Sequence, residues 1–247
     1  MAASIRRENL LLDAGKSERI PAVLQVPAAT SPGAAVLLLH GFSSRKERVA
    51  DSVGAALAKR NVASLAIDFP LHGEREGRHQ DVPRTNPIAV AGLWRLVQHE
   101  VRFAFDYLAR QSGVDAERVG VAGYSLGALV GVFLAADEPR VRTLALVAGG
   151  DLPAGMPMES LVRRAVNPQR AIQKLAGRPL LMVNGSGDRT IRPSQATALF
   201  EAAEEPKELR WYNGGHWPPQ QSIEEVADWL ALRLAPRTRQ AKAPRSA

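Results

Sequence analysis

The chain of 247 residues contains no cysteine. That absence excludes disulfides, thiolate metal sites and a cysteine nucleophile, and it fits a reducing, cytoplasmic setting. Long apolar runs are missing as well. The opening MAASIRRENLLLDAG holds no stretch fit for a signal peptide, and no run approaches the roughly 18 apolar residues of a membrane helix. A soluble protein without membrane association is expected. What is present is ordinary globular material, 45% hydrophobic and 23% charged, enough for one large α/β domain.

The net charge of +7 raises the question of nucleic acid. Four positive charges, Arg237, Arg239, Lys242 and Arg245, lie in the final PRTRQAKAPRSA, which has no acids and no apolar period. Residues 236–247 therefore read as a solvated, disordered tail. Subtracting these four charges from +7 leaves +3 on the body, where cations are scattered among acids without a stripe. Nucleic-acid binding is not expected from that pattern.

Along the body, apolar runs of strand length alternate with segments of helical period. ENLLLDAG and RIPAVLQVP read as two strands joined by a turn at Gly15 and Lys16, and AAVLLLH (34–40) as a strand buried on both faces. Further strands are expected at 62–69, 118–124, 141–148, 178–185 and 207–212. Ser44 followed by Glu47 has the form of a capping box and predicts a helix over 45–60. Helices are also expected near 88–110, over 126–137, inside 157–176, from Pro193, and in SIEEVADWLALRL. The alternation predicts an α/β fold, a mainly parallel eight-stranded sheet with helices on both faces, with residues 1–235 forming one domain. About thirty residues separate the sixth and seventh strands, so only a minimal cap is expected.

In such sheets the working residues gather past the carboxyl ends of strands. The motifs found there are HGF (40–42), DFPLHGE (68–74), GYSLG (123–127), GSGD (185–188) and GGHW (214–217). They place Ser125, Asp188 and His216 in the order serine, acid, histidine. Over nearly all of residues 5–235 this arrangement resembles the α/β-hydrolase family. The resemblance is closest to its compact branch of small serine esterases and dienelactone hydrolases, although those lactonases use cysteine where this chain has Ser125.

The resemblance implies a nucleophile, Ser125, on a strained strand-to-helix turn, with Gly123 and Gly127 relieving the crowding across it. It implies His216 as the base and Asp188 as its carboxylate partner, with Asp151 in AGGDLP as the rival acid. The oxyanion donors carried over by position are the backbone N–H groups of Phe42 and Leu126. Hydrolysis of small to medium acyl esters through an acyl-enzyme, without cofactor or metal, is the implied reaction, with a small-molecule ester as the partner. A peptidase or amidase of the same fold, and a catalytically silent ligand-binding relative, stay open. His40, Asp68 and His72 read as braces of the loops, and His79 and His99 as ordinary polar residues. Gly131 reads as a close-packing position in the helix after Ser125, and Arg45 and Lys46 as solvated first-turn residues.

Overall fold

The most continuous apolar runs of the chain form the middle of one sheet. In the computed structural model, which describes residues 5–15, 19–28, 32–82, 86–155, 159–175 and 177–236, the third strand β3 (Gly33–Leu39) lies between β4 (Ala63–Ile67) and β5 (Val114–Tyr124). Its side chains alternate between two separate apolar cores: Ala35, Leu37 and Leu39 enter one, and Ala34, Val36 and Leu38 the other. A strand buried on both faces needs apolar residues at every position, which is why no polar alternation is visible in it.

The sheet is completed by β1 (Ile5–Leu12), β2 (Ile20–Pro27), β6 (Leu144–Val147), β7 (Leu180–Gly185) and β8 (Lys207–Tyr212). Eight strands run in the order β1-β2-β4-β3-β5-β6-β7-β8. Both pairings of β2, with β1 and with β4, are antiparallel, and every other pairing is parallel. This is the α/β-hydrolase architecture. One face is covered by α3 (Pro87–Ala109), α4 (Leu126–Asp137), α6 (Pro168–Gln173) and α7 (Pro193–Ala202). The other is covered by a helical run after β3 and by α8 (Gln220–Arg233). Among the described residues no helix is long and apolar enough to cross a membrane.

Two local details depart from the sequence reading, both in the helical run after β3. The helix after β3 does not use Ser44 and Glu47 as a capping box; its N-cap is Arg45, with no side-chain cap. The Lys46 amide donates instead to Asp68 Oδ1, 2.7 Å away at the end of β4, so a distant carboxylate takes the place of the local cap. That run is also not one regular helix: α1 (Lys46–Val49) passes through a π-helical segment, Ala50–Gly54, into α2 (Ala55–Ala58). Between β6 and β7, two short helices, α5 (Glu159–Ala165) and α6, make a minimal cap. They are separate because Asn167 caps Arg170 N at 3.0 Å and Pro168 starts a new helix. Lys16, in the first expected turn, and residues 237–247, nearly all of the basic stretch, lie outside the described residues.

The turn from β5 into α4 shows why glycine surrounds Ser125. A Cβ on Gly123 would lie 2.2 Å from the Gly127 carbonyl oxygen, a clash across the turn as expected. A Cβ on Gly127 would instead strike the end of β3, 2.1 Å from Leu39 O and 2.7 Å from His40 O. Gly131 differs from both, since its added Cβ would rest 3.4 Å from Leu144 and Val121 side chains, an ordinary contact. Gly131→Ala is therefore expected to fold normally and to gain about 0.5–1 kcal/mol from helix propensity. Gly127→Ala is expected to lose at least about 1–3 kcal/mol through overpacking. Urea unfolding midpoints of the two variants check this difference in sign.

Candidate active site

Three strand ends bring three side chains together. Ser125 is held at φ 52°, ψ −110° between β5 and α4, and its N–H donates to Val147 O at 2.9 Å. His216, in the loop between β8 and α8, places Nε2 3.0 Å from Ser125 Oγ and Nδ1 2.7 Å from Asp188 Oδ2. Asp188 follows β7 with a fully buried carboxylate whose Oδ1 accepts from Thr190 N at 2.7 Å and Ile191 N at 3.1 Å. With both oxygens committed, the carboxylate can present Oδ2 to the imidazole in one orientation only. The loops carrying Asp188 and His216 are laced together by Ser186 N to Tyr212 O and Gly187 N to Gly214 O, at 3.0 and 2.9 Å.

Asp151, the rival acid, is engaged elsewhere. Arg163 of α5 grips it through Nη1 and Nη2 at 3.0 and 2.9 Å, and Gln169 Nε2 donates to it at 2.8 Å. It fastens the small cap to the sheet edge, and His216 pairs with Asp188.

The two expected oxyanion donors sit on segments that meet at Ser125. Leu126 is the first residue of α4, so its N–H has no carbonyl one turn back within the helix. Phe42 follows β3 in the HGF loop, which lies directly against the serine: a Cβ on Gly41 would be 3.4 Å from Ser125 Cβ and 2.7 Å from the Tyr124 ring.

The brace residues form a buried network under that loop. His40 accepts from Phe69 N at 3.1 Å through Nε2, and its Nδ1 lies 2.7 Å from Gly41 O, so both ring nitrogens are used. Burial outweighs the Gly41 hydrogen bond and lowers its pKa to about 3. Asp68 accepts from Lys46 N, Lys46 Nζ and Glu74 N at 2.7, 3.1 and 3.0 Å.

Lys46 thus corrects the expectation of a solvated first-turn residue. Its side chain is only 1% exposed and is surrounded by Glu47, Asp68 and Glu74 at 2.7–3.1 Å. Burial by itself would lower its pKa, but the hydrogen bonds it donates to Glu47 and Glu74 and the Asp68 charge outweigh that and push it up to about 12. Arg45 is the solvated one, 69% exposed beside Glu47.

His79, expected to be an ordinary polar residue, packs against the brace instead, a contact that no sequence period marks because the loop folds back on itself. Its ring stacks on His72 at 5.7 Å and meets the Phe42 ring edge-on at 5.2 Å. Burial lowers the His72 pKa. Its Nδ1 lies 2.8 Å from Pro70 O, whereas its Nε2 is buried without a partner.

A cavity of about 1010 Å³, lined by Gly123 and Tyr124 just before Ser125 in the chain, lies between the α1 side of the sheet and the loop of Trp217. Tyr124 and Trp217 stack at its mouth, 5.3 Å apart and inclined by 24°. Among the described residues no group of three or more His, Asp and Glu side chains is arranged to hold a metal ion.

A parallel α/β sheet with serine, histidine and carboxylate in line at its carboxyl edge defines a hydrolase-type molecule. The alpha/beta hydrolase family model matches residues 36–176, and the chain belongs to that family. The polyketide transferase ATR5 of Stachybotrys chlorohalonatus is 27% identical over 208 residues, covering 83% of this chain and 67% of its own length. The chain spans between half and two thirds of the length of such curated relatives. TT1662 from Thermus thermophilus superposes with a TM-score of 0.78 at 26% identity, covering 95% of this chain and 100% of that one. A cold-adapted esterase from an Arctic intertidal metagenomic library superposes with a TM-score of 0.69 at 22% identity, covering 95% and 96% of the two chains.

Two measurements test this network. A histidine held neutral by the fold stabilises it above the usual pKa of 6.5, and that stability is lost as pH falls from there through about 3. The fall in urea midpoint over this window is therefore expected to be smaller in His40→Gln than in the natural protein. The second concerns the His216 loop, whose carbonyls accept from Tyr124 Oη (to His216 O, 3.1 Å) and Tyr212 Oη (to Gly215 O, 3.0 Å). Burial raises both phenol pKa values, that of Tyr212 to about 12, so the two remain donors throughout the neutral range. Tyr124→Phe and Tyr212→Phe are each expected to lower the unfolding free energy by about 0.5–1.5 kcal/mol, read from urea unfolding.

Proposed function

We propose that the protein is a serine hydrolase that cleaves carboxylic esters of small to medium acyl chain through an acyl-enzyme intermediate. The observation that carries this reading is the unbroken line Ser125 Oγ, His216, Asp188, with contacts of 3.0 and 2.7 Å. A serine hydroxyl is a weak nucleophile until an adjacent base takes its proton.

Ser125 Oγ attacks the ester carbonyl while its proton passes to His216 Nε2. The Asp188 carboxylate at Nδ1 fixes the imidazole tautomer and stabilises the imidazolium that forms. Negative charge moves to the former carbonyl oxygen, between the Phe42 and Leu126 amides, whose dipoles are in place before the reaction begins. The tetrahedral intermediate collapses by breaking the ester C–O bond, and the departing alkoxide takes the proton from His216. Water then gives its proton to His216 and attacks the acyl-enzyme, and a second collapse returns the proton to Ser125 Oγ and releases the acid. Every proton in this sequence is held at Nε2 or on a reacting oxygen. The small cap, pinned by Asp151, leaves the site open to substrate, and the esterase that shares this architecture supports the choice of ester chemistry.

The test is stopped-flow hydrolysis of p-nitrophenyl esters from acetyl to decanoyl by the natural protein and by Ser125→Ala. A burst of p-nitrophenol near one equivalent is expected from the natural protein, and a loss of about 10⁴-fold or more in kcat from the variant. Equal activity in both proteins overturns the reading. Turnover of the matching p-nitroanilides as fast as the esters moves the assignment to an amidase.

A further inference from the structure

We propose that the cavity beside Ser125 is a subsite for a substrate group carrying a carboxylate, with Arg48 as its specificity-determining cation. The inference rests on the reading of Ser125 as the ester-cleaving nucleophile and adds the substrate class.

The cavity is built from two kinds of surface. Leu38, Val49, Val53, Val147 and Ile223 give it apolar walls, and Gly123 and Tyr124, the two residues before Ser125 in the chain, line it as well. Its volume of about 1010 Å³ is enough for a chain of several methylenes. Trp217 gathers two contacts at the mouth. The Tyr124 ring stacks on Trp217 at 5.3 Å, and the Arg48 guanidinium carbon is 5.1 Å from the Trp217 ring centroid. Tyr124 and Trp217 are the chain neighbours of Ser125 and His216, so the stack is fixed with respect to the reacting atoms.

The charges on this wall distinguish Arg48 from the rest. Glu47 is engaged by Lys46 at 2.7 Å and Arg45 at 3.5 Å, and Asp51 by Arg7 at 2.7 Å. Lys46 is surrounded by three carboxylates. Among the described residues Arg48 has no carboxylate within ion-pair distance, and the face of Trp217 is its charge contact. A guanidinium held by the face of an indole spends no N–H donor on a carboxylate there, so its fork of donors can pair with one. The π-helical segment Ala50–Gly54 follows directly and puts Asp51, Ser52 and Val53 on the same wall. Such segments often occur at functional sites. An apolar channel ending at an unpaired guanidinium suits an acyl or alcohol group with a methylene chain and a distal carboxylate.

The test compares p-nitrophenyl hydrogen adipate with its methyl ester, two substrates that differ in one charge. The natural protein is expected to favour the acid in kcat/KM by about tenfold, mainly through KM. Arg48→Gln is expected to abolish that preference, and Arg48→Lys to retain part of it. Arg45→Gln, which removes an exposed cation of the same wall, is expected to keep it. Equal kcat/KM for the two esters, or a preference that survives Arg48→Gln or disappears equally in Arg45→Gln, overturns the subsite and leaves Ser125 as nucleophile untouched. A calorimetric titration of Ser125→Ala, with and without Arg48→Gln, uses monomethyl and dimethyl adipate and needs no turnover. If neither p-nitrophenyl ester is hydrolysed, the ester reading fails. The titration then decides the subsite: tighter binding of the monoester that is lost with Arg48 supports it, and equal binding of the two overturns it.

Discussion

The backbone at Ser125 is the constraint on which the rest of the molecule depends. A non-glycine residue at φ 52°, ψ −110° costs on the order of 1–3 kcal/mol and persists only where its surroundings leave no alternative. Here β5 is pinned between β3 and β6, the Ser125 amide is bonded to Val147, and Gly127 is pressed against the end of β3. The apolar interior that fixes these strands on both faces is thus what holds the half-buried serine at the sheet edge. Relaxing the turn would require separating strands from a close-packed core, which costs far more than the strain it would release.

A second layer of order is electrostatic and lies beneath the HGF loop. Asp68 caps α1 through the Lys46 amide and also binds the Lys46 ammonium and the Glu74 amide. Nearby, Arg75 and Glu100 form a bidentate pair at 2.8 and 3.0 Å that ties the loop after β4 to α3. Buried ion pairs contribute little net stability, because desolvation offsets most of the attraction. Their effect is geometric. Carboxylates and cations out of water must keep their partners, so the segments carrying Phe42, His72 and His79 have one arrangement in which every charge is matched.

The reacting groups then divide by how they are held. Ser125 depends on backbone strain and packing, Asp188 on two amides of its own loop, and His216 on tyrosine hydroxyls contributed by β5 and β8. Polar contacts within hydrogen-bonding reach of one another connect all three, so a shift in any strand end is felt at the imidazole. The same coupling extends to the cavity, since the Tyr124 and Trp217 rings that close it are neighbours in sequence of Ser125 and His216.

Much of this was legible before folding, wherever the cause is local. The continuous apolar runs gave the buried strands, Pro193 marked the start of α7, and GYSLG could be read because the clash that Gly123 avoids, against Gly127, lies within five consecutive residues. Local causes also misled, as at Ser44 and Glu47, where a capping box was available and Asp68 displaced it. The choice between Asp188 and Asp151 had no local answer, because both follow a strand of the same sheet. It was decided by which carboxylate the loop after β8 reaches and which one the cap arginine takes. Lys46 is the plainest case. Its sequence neighbours suggest a solvated cation, but Asp68 and Glu74, 22 and 28 residues away, bury and pair it. Periodicity and punctuation determine which segments become strands and helices, since those depend on each residue's own backbone and polarity. Only the tertiary structure determines which charges meet, because that depends on the distances between strand ends.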